Sequence, residues 1–337
     1  MKWKNIMMMV MMAAGCWFSL PVHSQRISVG KKGLVKVMKT DSTCAQEFVR
    51  DEHQSVATRK TAGAAEGVNT LASYLKSDVD LNIPVSKVKQ EKTFAVIIAN
   101  ENYQEEVNVE FALNDGMAFR EYCIKLLGIP ESNLHVRKDA TLNNMLAEIN
   151  WMQNIAKAYG AEARFIFYYA GHGMPDESNG TSYLLPVDGK SNILATGYSM
   201  SRLYAELNGL NAACVTVLMD ACFSGSKRGE GMLASARGVA LKAKAEAPKG
   251  NMLVMTAAQG SETAYPYKEK KHGLFTYFLL KKLQESKGKV TYGDLFDYVK
   301  TNVAQKSVVV NEKSQTPTIA VSGDLVSTWQ GIRLNED

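Results

Sequence analysis

Cysteine is scarce in this chain. Five occur in 337 residues, none in a CxxC pair and none in a Cys/His cluster at metal-ligand spacing, so neither structural zinc nor a disulfide framework is indicated. Runs of lysine and arginine with interleaved aromatics are also missing, and a net charge of +5 then implies no nucleic-acid partner. There is no GxSxG elbow, which makes a serine hydrolase built on Ser224 a poor reading. No internal repeat is visible, and no transmembrane span is expected. What remains is ordinary globular material, with 46% hydrophobic and 22% charged residues, unlike a disordered chain or a multispan membrane protein.

Lys2 and Lys4 stand ahead of the apolar run IMMMVMMAAGCWFSL, followed by Pro21, Val22, His23 and Ser24. This is the pattern of a targeting segment over residues 1–24, too short and too weakly flanked to span a membrane. Val22 and Ser24 favour removal before Gln25 and export to a periplasmic or extracellular space; a lipid anchor at Cys16, in AAGC, is the lesser alternative. Removal takes away two lysines and no acid, lowering the net charge from +5 to +3. Residues 25–90 show little apolar periodicity until LASYLKSDVDLNIP and read as a prosegment or linker with one short helix.

From Glu91 the texture changes. A continuous apolar run of strand length occurs at 94–100, and further strand candidates follow at 134–138, 164–170, 214–220, 251–257 and 318–322. Helical patterns lie between them, at Asp115 to Leu127, Leu142 to Tyr159, Ser201 to Leu207, Leu274 to Gln284 and Tyr292 to Val303. Strands alternating with helices predict an α/β fold with a mostly parallel sheet covered on both faces. Cys123, on an apolar helix face, and Cys214, entering a buried strand, read as core residues.

Two residues stand apart. His172, in FYYAGHG, follows a buried strand and has glycine on each side; Cys222, in LMDACFSG, follows the next core strand. Parallel neighbours place both in the crevice at the carboxyl ends of the strands, where open α/β sheets keep their active sites. The imidazole then activates the thiol, since a thiolate attacks an acyl carbon far better than a thiol does. The N–H groups of Gly173 and Cys222 are candidate donors to the resulting oxyanion. His23, His53, His135 and His272 compete less well, the last because it lies in the lysine-rich stretch YKEKKHG.

In YYAGHG (168–173) and DACFSG (220–225), with the histidine about 50 residues before the cysteine, the sequence resembles the caspase-like clan of cysteine peptidases. Within that clan it is most similar to the metacaspases and bacterial orthocaspases. Weaker echoes are FALNDGMAF (111–119), YLLPVDG (183–189), HGLFTYFLLKKL (272–283) and SQTPTIAV (314–321), so the resemblance covers roughly residues 91–325 and leaves 326–337 as a tail. It implies a six-stranded, mostly parallel sheet flanked by helices, a His172/Cys222 dyad, and hydrolysis of peptide or protein substrates through a thioester.

Animal caspases have glutamine where this chain has Asp220. The resemblance therefore implies a preference for Arg or Lys at the cleavage site, with Asp115 and Asp220 converging on the basic side chain. Asp115 also has a simpler reading as a helix N-cap or first-turn acid. Metacaspases often use calcium bound by acids after the catalytic histidine. Asp176, Glu177 and Asp188 are the weak candidates here, and no cofactor is required. The stretch 226–251 matches the region where caspase relatives are cut, making Lys227, Arg228, Arg237, Lys242, Lys244 and Lys249 candidate self-cleavage sites. A catalytically idle relative that binds peptides or partners is the alternative, although such relatives usually lose the histidine or cysteine and this chain keeps both.

Overall fold

The six strand candidates become the strands of one sheet in the structure, a computed structural model that describes residues 28–29, 35–36, 76–176, 178–223, 248–260 and 262–335. The expectations placed on the leader, on Cys16, on Glu177 and on Lys227, Arg228, Arg237, Lys242 and Lys244 fall outside the described residues. Near the N-terminus, Ser28–Val29 and Val35–Lys36 pair as a short antiparallel ribbon.

The strands are β1 (Thr93–Ala99), β2 (Leu134–Lys138), β3 (Arg164–Ala170), β4 (Cys214–Asp220), β5 (Met252–Thr256) and β6 (Thr318–Val321), in the order β6-β5-β4-β3-β1-β2. All neighbours are parallel except β6, which closes one edge antiparallel to β5. Strands β1 and β4 are buried at every position, which is why they read as unbroken apolar runs rather than alternating ones. Edge strand β2 buries only Leu134.

Among the described residues five helices cover the sheet: α1 (Ala112–Lys125), α2 (Leu142–Tyr159), α3 (Met200–Asn208), α4 (Leu274–Glu285) and α5 (Tyr292–Asn311). Helices α2 and α3 pack on the face carrying Phe165, Phe167, Val215 and Val217. Helices α1, α4 and α5 pack on the face carrying Ile166, Tyr168, Leu218 and Cys222. Thr141 and Thr291 cap α2 and α5, accepting the N–H groups of Asn144 at 3.2 Å and Asp294 at 3.1 Å. Helix α1 starts three residues earlier than its apolar pattern suggests. Its first turn is satisfied from a distance, Leu113 N–H donating to Glu101 Oε2 at 2.9 Å.

Residues 77–90 are bonded to the domain although they look like linker in sequence. Val79 is buried, Tyr122 Oη donates to its carbonyl at 2.7 Å, and Gln284 Nε2 donates to Leu81 O at 2.7 Å. The tail also folds back, with Tyr292 N–H donating to Ile332 O at 2.8 Å and Leu334 buried. Among the described residues, no helix is long and apolar enough to cross a membrane.

Candidate active site

Register decides what meets at the carboxyl edge of the sheet. Ala170 of β3 pairs with Asp220 of β4, and each chain continues two residues further to His172 and Cys222. Gly171 N–H still donates to Asp220 O at 3.3 Å, so the two chains remain adjacent past the last strand residue. The glycines flanking His172 are set by crowding. A Cβ on Gly173 would lie 2.5 Å from Cys222 O and from the Phe223 ring, and one on Gly171 would lie 2.7 Å from the hydroxyls of Tyr103 and Tyr169. Backbone and cysteine approach this closely only without a side chain.

The imidazole is oriented by a loop that carries none of the sequence motifs above. His172 Nε2 lies 2.8 Å from Val107 O. A carbonyl only accepts, so Nε2 carries the hydrogen, and Nδ1 holds the lone pair of the neutral ring. Tyr103, from the same loop, accepts the His172 N–H at 2.8 Å and packs its ring 4.7 Å from the imidazole. Tyr169 Oη lies 2.7 Å from His172 O, to which it donates. Burial raises both phenols well above the ordinary tyrosine range, so they remain protonated hydrogen-bonding groups at neutral pH. The loop itself is anchored by Asp139, whose carboxylate accepts the N–H groups of Glu101 and Asn102, each at 2.9 Å. Burial opposes ionisation there, yet the hydrogen bonds hold Asp139 below the usual carboxylate range.

His172 and Cys222 are 5% and 3% exposed. Leu185 N–H donates to His172 O at 3.0 Å, which makes 172/185 the bonded pair of a ribbon formed by Gly173–Pro175, Ser182–Leu184 and Tyr198–Ser199. Gly173 then sits opposite Leu184 in a non-bonded pair, with its N–H directed away from that strand. This suits donation to an oxyanion at Cys222.

Asp115 and Asp220 are both fully buried, on the face shared with Cys222, and both grip the start of α4. Asp220 Oδ2 accepts from Thr276 N–H at 3.2 Å and Thr276 Oγ1 at 2.8 Å. Asp115 accepts Gly273 N–H at 3.0 Å and lies 2.8 Å from His272 Nδ1. Asp115 is therefore no N-cap; it sits in the first turn of α1 and reaches across to α4. His272 is 1% exposed, far from the solvated position its lysine neighbours suggest. One signal pointed to it: His272–Gly273 repeats the His–Gly pair of 172–173 immediately before an apolar helix.

The remaining candidates are dispersed. Asp176 accepts the Ser178 N–H at 2.9 Å within its own turn, while Asp188 accepts Leu142 N–H at 3.1 Å at the start of α2. Among the described residues no group of three or more His, Cys, Asp or Glu side chains is placed to hold a metal. Lys249 is exposed, but it precedes β5, at the opposite end of the sheet from Cys222. Seven residues of strand separate those ends by roughly 23 Å, so cutting there calls for a second molecule. Cys123 and Cys214 are buried core residues, and burial pushes the Cys123 thiol up. His135 lies on β2 with Nδ1 2.6 Å from Glu148 and its ring stacked on Trp151 at 3.8 Å.

A family model described as the caspase domain, peptidase family C14, matches residues 92–324. The fold is similar to that of a structural-genomics crystal structure from Geobacter sulfurreducens, at 18% identity and a TM-score of 0.52, covering 72% of this chain and 98% of that one. It is also similar to caspase-1 from Spodoptera frugiperda, at 15% identity and a TM-score of 0.49, covering 72% and 92% respectively. No curated protein matches the chain.

Proposed function

Because the chain belongs to the caspase-domain family of cysteine peptidases, we propose that it hydrolyses peptide bonds on the carboxyl side of Arg or Lys, with Cys222 as nucleophile and His172 as its base. The observation that carries this reading is the β3/β4 register, which leads His172 and Cys222 out side by side, with Asp220 on the face of the nucleophile. His172 Nδ1 takes the thiol proton and the thiolate adds to the scissile carbonyl. The oxyanion draws hydrogen bonds from the N–H groups of Gly173 and Cys222. As the tetrahedral species collapses, the amine leaves with the proton from His172, giving a thioester. Water, deprotonated by the same histidine, then releases the acid and restores the thiol.

Asp115 and Asp220 supply the preference. Two acids in a desolvated region attract a cation more strongly than surface acids and repel Asp or Glu. The same preference extends to self-cleavage after a basic residue within 226–250, and the leader to export with removal before Gln25. Profiling the protein against a peptide library, with Cys222→Ala as control and with and without calcium, tests the reading: cleavage after Arg or Lys, lost in the variant, is expected. Cleavage after acidic or apolar residues would overturn the specificity. Equal rates in wild type and Cys222→Ala would overturn the dyad. Failure of Cys222 to react with an iodoacetamide probe would favour an idle, peptide-binding relative.

A further inference from the structure

His272 stands apart from the dyad but not from substrate recognition. Its Nδ1 lies 2.8 Å from Asp115 Oδ1 and its Nε2 lies 3.2 Å from Asp80 Oδ1. A neutral imidazole has one N–H, so donation to two carboxylates requires both nitrogens to be protonated. Burial works against the charged ring, yet the hydrogen bonds and attraction from Asp115 and Asp80 raise His272 to about 9. The ring is a cation at neutral pH.

The charge arithmetic gives the arrangement its meaning. Asp115 paired with His272 alone is a neutral couple and offers little to an incoming cation. Asp80 supplies a second anion and leaves the triad with one net negative charge. That acid comes from a short turn, Asp78–Asp80, upstream of the residues matched by the family model. Asp80 Oδ2 accepts Ser77 N–H at 3.1 Å, a bond that an asparagine oxygen can also accept, and the turn has further anchors. Asp78 is bonded to Lys270 at 3.0 Å, Lys281 at 2.9 Å and Tyr277 at 3.2 Å, and Val79 is buried. Those two lysines are therefore committed to Asp78. The other charged groups at this place are Lys76, Lys271 and Glu121, which line the same surface pocket as Asp80. His272 also continues directly into Gly273, whose N–H holds Asp115, so ring and main chain fix one carboxylate together.

We propose that His272 is a positioning residue for substrate recognition, and that Asp80 acts through it: the pair orients the Asp115 carboxylate and restores negative charge where a substrate's basic side chain is received. This rests on the reading of Asp115 as a specificity acid. The turn at Asp78–Asp80 becomes a strap that sets affinity without touching the peptide.

The test uses the full chain, a peptidyl-arginine amide substrate, and the variants Asp80→Asn and His272→Gln, with kcat and KM measured alongside the rate of iodoacetamide alkylation of Cys222. Asp80→Asn is expected to raise KM about five-fold, the equivalent of about 1 kcal/mol, with kcat and alkylation unchanged. His272→Gln is expected to raise KM further. Should His272→Gln fail to fold, Asp80→Asn decides, because its side chain is partly exposed. An unchanged KM in folded Asp80→Asn, or equal losses in kcat and alkylation, overturns the proposal while leaving the peptidase reading intact. A wild type that does not prefer Arg or Lys removes the specificity reading and this proposal with it.

Discussion

His172 and His272 are both buried, both followed by glycine, and both hydrogen-bonded through the ring, yet their surroundings suit opposite tasks. A main-chain carbonyl, Val107 O, holds Nε2 of His172. A carbonyl accepts equally from a neutral ring and from a charged one, so that contact survives a proton arriving or leaving at Nδ1. His272 is held by carboxylates at both nitrogens, contacts that only the cation satisfies. The difference between a proton carrier and a fixed charge lies in the partners and not in the burial, which is nearly the same for the two.

Removing the His172 imidazole is the strongest way to break that comparison. His172→Ala is expected to lower turnover by at least about 10³-fold, because members of a catalytic unit fail together, while circular dichroism and the melting temperature stay near wild type. Next in size is Asp115→Asn. Breaking a buried ion pair typically costs about 3–5 kcal/mol, so denaturant unfolding is expected to show a large loss together with reduced cleavage of Arg and Lys peptides. A loss of stability with activity fully retained would confine Asp115 to holding α4.

Much of this was legible beforehand, for reasons visible in particular residues. The central strands follow from apolar runs because strands covered on both faces cannot alternate, whereas edge strand β2, LHVRK, carries only two apolar residues. His172 and Cys222 stand out in the sequence because glycine and small residues follow their strands. The loop bearing Tyr103 and Val107 gives no sequence signal, since nothing in it is periodic and Val107 acts through its backbone, which carries no side-chain signature. Helix α1 outruns its apolar pattern because Glu101, eleven residues before its first helical residue Ala112, satisfies its first turn in place of a local cap. The burial of His272 is hidden in the sequence because Lys270 and Lys271 suggest solvent, whereas Lys270 is turned toward Asp78. Helix α5 runs on to Asn311, beyond Val303, with Val308 and Val309 exposed and so outside any apolar stripe.

Smaller effects sharpen the contrast. His272 is raised from 6.5 to about 9 in the folded protein. Its contribution to stability is therefore complete below about pH 6.5 and is lost as the pH rises through about 9. Urea midpoints measured across that window are expected to fall in wild type and to flatten in His272→Gln; parallel curves would deny His272 its charge. Smallest is Tyr169→Phe, which removes the hydroxyl donating to His172 O. The expected cost is about 1 kcal/mol, with a several-fold fall in kcat, read by thermal melting and single-turnover kinetics. A change confined to the melting temperature would mean that the hydroxyl supports the ribbon and not the base.

The grip of Asp115 and Asp220 on the start of α4 has a topological consequence. Both acids precede residues 226–250 in the chain, whereas Gly273 and Thr276 follow them. Strands β4 and β5, on either side of the same interval, are zipped through five register pairs from Val215↔Met252 to Met219↔Thr256. A polypeptide severed between those limits would thus be two chains and still one folded body. It would give two bands under denaturing conditions and a single species in native chromatography, with the buried acids serving as rivets between the halves.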